Sequence, residues 1–165
     1  MSNVYILLDR SSSMGSQWKE ALGSINGYVE ELPGKTRVML AVFDTVGYDV
    51  IRSTTAKDWK TVTNEDAMPR GGTPLFDSAM RMMQRIEEDK PERAVFVVMT
   101  DGEENNSQKY RQHEVKSMAD KLRTKNYEVL FLGANFDKVG DTAAAFGAGY
   151  NKFMNINTSN LGDTM

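Results

Sequence analysis

Four short apolar runs constrain this chain more than any other feature: residues 4–8, 38–43, 94–99 and 129–132. In each, successive positions are apolar, so neither side of the extended chain is suited to water. Strands of that kind belong inside a parallel sheet that is covered on both faces. The segments between them carry helical period instead. Trp18, Ala21, Leu22, Ile25, Val29 and Leu32 share one stripe, Leu75, Phe76, Ala79, Met80, Met83 and Ile86 a second, and Val115, Met118, Ala119 and Leu122 a third. Many of the 11 methionines fall in these stripes or strands and read as core filler. Strand–helix alternation with right-handed crossovers predicts an α/β fold: a three-layer, Rossmann-like open sandwich around a mostly parallel sheet.

One unit breaks the alternation. Residues 38–43 and 46–51 are separated only by Asp44 and Thr45, too short a connection for a parallel crossover, and Val46, Tyr48 and Val50 alternate with Gly47 and Asp49. The sheet is therefore expected to carry residues 46–51 as an antiparallel edge strand. Periodicity disappears between Arg52 and Gly72, and a stretch of that length inside a compact domain is often functional. With no hydrophobic period and adjacent glycines, little burial is expected to hold it down, which would make it the mobile part of the site. Pro74 suits a first helical turn, with Thr73 as N-cap. A short strand is expected near residues 152–156, and the tail over 157–165 reads as irregular or as a truncated last helix. The whole chain, 1–165, reads as one domain.

Composition narrows the function classes. Lys and Arg number 20 against 23 Asp and Glu, a net charge of −3, which speaks against a nucleic-acid binder with its basic face. No apolar run approaches the roughly 20 residues that span a bilayer, and residues 4–8 are too short for a signal-peptide core. The absence of cysteine removes disulfides, thiolate metal sites and a thiol nucleophile. A cytoplasmic, monomeric protein is the expectation.

The densest polar cluster, Asp9-Arg10-Ser11-Ser12-Ser13, follows the first strand directly. Thr100-Asp101-Gly102-Glu103-Glu104-Asn105 follows the strand at 94–99 in the same structural position. Open α/β sheets bind ligands at their carboxyl edge, where the strand order reverses. If it reverses between these two strands, Asp9, Ser11 and Ser13 meet Asp101, and Thr73 ends the long loop within reach. Two carboxylates and three hydroxyls are hard oxygen donors. They suit Mg²⁺ or Mn²⁺, with Ca²⁺ of the same class, whereas Zn²⁺ prefers nitrogen or sulfur. Hydroxyls neutralise little of the cation's charge, so a metal held mainly by them still attracts an anionic oxygen from outside. The bland reading of each piece is a serine-rich turn, a helix cap and an Asp-Gly turn. Arg10 and the Glu103–Glu104 pair read as surface residues.

Taken in order, Asp9-x-Ser11-x-Ser13, Thr73 in Gly-Gly-Thr-Pro and Thr100-Asp101-Gly102 resemble the von Willebrand factor type A domain and its metal-ion-dependent adhesion site. The resemblance covers nearly the whole chain. It implies that Ser11, Ser13 and Thr73 contact the metal directly, that Asp9 and Asp101 often act through water, and that a partner protein's Asp or Glu completes the coordination. It also implies that Thr73 engages the metal only when an acidic ligand is present. That reading makes the chain a binding module rather than an enzyme.

The alternative is a metal-dependent hydrolase or phosphotransferase on a similar sheet. A haloacid-dehalogenase-like enzyme needs a second Asp where Ser11 stands. A serine hydrolase would have to use the single histidine, His113, without a nucleophile elbow. The glycine-rich phosphate-loop signature is missing, and Gly147-Ala148-Gly149 lacks the third glycine of a dinucleotide site.

Overall fold

The structure is a computed structural model that describes residues 2–101, 105–133 and 153–155. Its strands are β1 (Ser2–Asp9), β2 (Arg37–Phe43), β3 (Tyr48–Thr55), β4 (Arg93–Thr100), β5 (Glu128–Gly133) and β6 (Phe153–Asn155). The helices are α1 (Trp18–Glu30), α2 (Leu75–Asp89) and α3 (Gln112–Thr124), with single 3₁₀ segments at Ser12–Gln17 and Ala56–Asp58. The strands form one sheet in the order β3-β2-β1-β4-β5-β6, parallel except for the β2–β3 pair.

Strand parity decides which side each residue serves. Val4, Ile6 and Leu8 of β1 join Leu40, Val42, Val97 and Met99 beneath the α1 stripe of Trp18, Ala21, Leu22, Ile25 and Val29. Tyr5 and Leu7 join Phe43, Phe96 and Val98 beneath Leu75, Ala79, Met83 and Ile86 of α2 and Val115, Ala119 and Leu122 of α3. Two apolar cores, one on each side of a sheet buried on both faces, account for the continuous apolar runs. Because β1 lies between β2 and β4, the strand order reverses there, and the ends of β1 and β4 are neighbours.

Three expectations shift. The antiparallel edge strand is present, but it runs over Tyr48–Thr55 rather than residues 46–51. Asp44 is the cause: its Oδ1 accepts the N–H groups of Val46 and Gly47, both at 3.0 Å, and its own N–H donates to the Gly47 carbonyl. This Asx-type turn takes Val46 out of the strand and leaves it exposed. A register shift after Leu40 then lets the polar residues from Arg52 onward continue the pairing to Thr55.

Thr73 is not the N-cap of α2. Pro74 occupies that position, and no side chain caps the helix there.

The segment after β3 is held by more than its composition suggests. Val62 and Ala67 are buried in the α1-side core. The Asn26 amide accepts from Trp59 Nε1 and the Val62 N–H and donates to the Val62 carbonyl, at 2.9–3.0 Å. Trp18 Nε1 donates to the Ala67 carbonyl, and Arg52 to the Lys60 and Thr61 carbonyls. The expectation that little holds this loop is therefore corrected. Hydrogen bonds to α1 and β3 do so, and they leave no periodic signature.

Candidate metal centre

The site is built where β1 and β4 end. Asp9, the last residue of β1, is fully buried. Its Oδ1 accepts the Ser11 N–H at 2.8 Å, and its Oδ2 accepts the Thr100 hydroxyl at 2.9 Å. The first bond curls the chain back over the strand end and starts the turn that leads through Ser12–Gln17 into α1. Within that turn the Ser11 and Ser13 hydroxyls lie 3.1 Å apart, and Ser13 Oγ donates to Asp101 Oδ2. Four of the five sequence-predicted residues, Asp9, Ser11, Ser13 and Asp101, are thus linked in one hydrogen-bonded group.

Thr73, the fifth, is buried at the start of α2. Its segment is tied to both neighbouring strand tips. The Ser12 N–H donates to the Gly71 carbonyl at 3.0 Å, and the Arg70 N–H to the Arg10 carbonyl at 2.7 Å. On the other side the Thr73 N–H meets the side-chain oxygens of Asn105 and Asn106 at 2.9 and 3.0 Å, and its carbonyl accepts the Asn105 N–H. Gly71 is required: it has φ +63°, and a Cβ there would come within 2.6 Å of Thr45 Oγ1, whereas a Cβ at Gly72 would displace the Asn106 side chain that accepts the Thr73 N–H.

Asn105, Asn106 and Asp77 hold this arrangement together, a role that the sequence did not reveal although Asn105 closes the second polar cluster. Asp77, in the first turn of α2, accepts the N–H groups of Gln108, Lys109 and Tyr110 at 2.8–3.1 Å. Together they moor the segment after Asp101 to the segment of Thr73. Asn-Asn-Ser is a turn-forming composition, which is the only trace the sequence carried. Arg10 points its guanidinium at the Met68 carbonyl, with Nε and Nη2 at 2.9 and 2.7 Å, and so helps hold the long loop. His113 is exposed on α3. Gly102, Glu103 and Glu104 lie outside the described residues.

The electrostatics of the group are one-sided. Burial pushes the Asp9 carboxyl up to about 6, the nearby Asp101 charge adds to the rise, and the Ser11 and Thr100 hydrogen bonds oppose it. Among the described residues Asp9 meets only neutral donors, Ser11 and Thr100. A buried carboxylate with no cation beside it is costly, and a hard divalent ion would relieve that cost. Among the described residues no group of three or more His, Cys, Asp and Glu forms a conventional metal cluster. Hydroxyls must therefore complete any donor set here. Two aspartates and neighbouring hydroxyls fit Mg²⁺ or Mn²⁺ in donor chemistry.

A reversed strand order with this three-segment tip is joined by a match over almost the full chain: a family model for the von Willebrand factor type A domain covers residues 3–161. The chain belongs to that family. The family is one of protein-interaction modules. Solved structures of the same fold include proximal thread matrix protein 1 from the mussel byssus (13% identity, TM-score 0.72, 98% of this chain and 43% of that one). The von Willebrand domain of the type V pili tip protein Mfa5 from Porphyromonas gingivalis matches at 12% identity and TM-score 0.72, over 98% of this chain and 91% of that one. The ArnB paralog VWA2 from Sulfolobus acidocaldarius matches at 14% and TM-score 0.68, over 98% and 43%. The domain thus spans less than half of the mussel and archaeal chains. A comparison with curated proteins finds no match. Among the described residues no helix is long and apolar enough to cross a membrane.

Proposed function

We propose that this von Willebrand type A domain is a divalent-metal-dependent protein-binding module. Asp9, Ser11, Ser13, Thr73 and Asp101 would hold one Mg²⁺ or Mn²⁺ at the carboxyl end of the sheet. When bound, the ion supplies a Lewis-acidic position that accepts a carboxylate oxygen from a partner's Asp or Glu. The chain's own part is to present the oxygens: Thr100 and the Ser11 N–H orient Asp9, and Asp101 orients Ser13. The observation that carries the reading is Asp9, a buried carboxylate at the meeting point of two strand tips with no cation among its described partners. A crystal form of the mussel protein is described with a zinc-occupied MIDAS motif (11% identity, TM-score 0.70, 98% of this chain and 43% of that one). That supports divalent-ion binding within the family. Zinc exceeds Mn²⁺ in affinity for most oxygen and nitrogen sites, so its presence there is compatible with a hard-oxygen set.

The test is affinity capture with immobilised wild-type and Asp9→Ala domains, each in Mg²⁺ and in EDTA. A partner retained only by the wild type and only in Mg²⁺ is the expected result. A partner retained equally in EDTA, or equally by Asp9→Ala, contradicts the proposal.

A further inference from the structure

A groove of about 400 Å³ opens beside the candidate metal centre, between the β2–β3 turn and the first two turns of α2, and is lined by Thr45, Tyr48, Pro74, Asp77, Arg81 and Asn106 among others. Two of these residues adjoin Thr73 directly: Pro74 follows it in the chain, and Asn106 accepts its N–H. A segment that reaches the metal position from this side therefore lies along the groove.

The charges inside the groove are unequal in what they still offer. Asp44 also lines it, but Asp44 Oδ1 is occupied by the Val46 and Gly47 N–H groups and Oδ2 by Arg70 Nε at 2.5 Å. Both oxygens of Asp77 are taken by the backbone N–H groups of residues 108–110, in the first turn of α2, where the helix dipole further offsets a negative charge. Arg81 is different. It is exposed, its guanidinium lies over the Tyr48 ring 4.3 Å from the centroid, and among the described residues it pairs with no carboxylate. Tyr48 is itself fixed from below, its hydroxyl 3.6 Å from Met82 Sδ. Stacking holds the planar guanidinium in place, and the edge donors of an arginine stacked in this way stay available to an oxyanion.

We propose that this groove is the second half of the ligand site: it takes an acidic side chain of the partner segment on Arg81 while another carboxylate of the same segment completes the metal. The inference rests on the metal-dependent reading above and narrows it, because it makes the partner's recognition element a pair of acidic residues instead of one.

The probe is a set of blocked, flexible Gly/Ser peptides carrying either one Glu or two Glu at stepped separations, titrated into isotope-labelled domain with saturating Mg²⁺ and followed by NMR. Binding of Mn²⁺ alone is read first, from paramagnetic broadening around Ser13. The expected result is that one separation binds about two- to fivefold more tightly than the one-Glu peptide, the range of an exposed ion pair, and moves the Arg81 side-chain signals. Arg81→Ala should abolish that preference while leaving Mn²⁺ binding unchanged. Arg85→Ala removes the same charge one turn along α2, where Arg85 already pairs with Asp89 at 2.9 Å, and should keep it. Equal affinity for all peptides in a protein that binds Mn²⁺ overturns this inference alone. So does an equal loss of preference in both variants. A domain that does not bind Mn²⁺ overturns the metal-dependent reading and this one with it.

Discussion

Asp9 ends β1, Asp44 follows the neighbouring β2, and both carboxylates are buried, yet their surroundings differ in kind. Asp44 is answered by a cation: Arg70 sits on Oδ2, and two N–H groups satisfy Oδ1. Its charge is used up in closing the β2–β3 turn and anchoring the long loop. Among the described residues Asp9 meets only neutral donors from Ser11 and Thr100, and the nearby charge of Asp101 repels it. Burial alone therefore does not mark a functional carboxylate. What separates the two is the electrostatic deficit at Asp9, which a bound cation would relieve.

The sharpest way to break this comparison is to make the same substitution at both positions in EDTA. Asn keeps the shape and one acceptor oxygen. Asp44→Asn removes a charge-assisted bond to Arg70 and should destabilise the domain by about 2 kcal/mol. Asp9→Asn removes an uncompensated buried charge, and its amide can donate to the Thr100 hydroxyl, so it should stabilise the metal-free domain by up to about 2 kcal/mol at pH 7–8. Urea denaturation measures both. Shifts of the same sign would show that the two aspartates are equivalent after all.

The pH dependence has a defined sign. A carboxyl raised to about 6 in the folded state, against about 3.9 unfolded, binds more protons when folded. Its contribution is therefore fully present below about pH 4 and is lost as pH rises through 6. Denaturation of wild type and Asp9→Asn in EDTA across pH 4–8 should diverge over that window, with wild type losing ground toward high pH. For metal the order reverses, since protons compete for the same oxygen: Mn²⁺ affinity should fall by up to about tenfold per pH unit below 6. A pH-independent Mn²⁺ affinity would remove Asp9 from the donor set.

Smaller effects come from the loop that carries Thr73. Gly71→Ala forces a Cβ into a left-handed backbone and against Thr45 Oγ1, which should cost about 1–2 kcal/mol. A neutral result in thermal unfolding would mean that the loop relaxes freely. Ser12 sits between two predicted ligands but is exposed, and its N–H donates to the Gly71 carbonyl. Ser12→Ala should change stability by less than about 0.5 kcal/mol and leave metal binding intact.

These contrasts also explain what could be read in advance. The strand runs were legible because a sheet covered on both faces demands apolar residues in succession. Asp9, Ser11, Ser13 and Asp101 were legible because each lies just past such a run, where backbone geometry alone brings tips together. The start of β3 was misplaced because one side chain, Asp44, decides whether Val46 pairs or turns. Polar residues such as Arg52, Ser53, Thr54 and Thr55 extend an edge strand without any hydrophobic signal. The contacts of Asn26 and Asn105 were invisible for another reason. They work by holding backbone groups over 30 residues away in sequence, and no local spacing encodes such a contact.

The central claim is that the Asp9 group binds a divalent cation, and the direct measurement is the melting temperature of the metal-free domain as Mg²⁺ or Mn²⁺ is titrated to millimolar concentration. An ion bound only by the native state stabilises it by about 2.7 kcal/mol at a hundredfold excess over Kd. For a chain of 165 residues that corresponds to a rise on the order of 5–10 °C. Wild type should show the rise, and Asp9→Ala should fold normally without it. An unchanged wild-type melting curve, or an Asp9→Ala curve that rises as wild type does, would contradict the account.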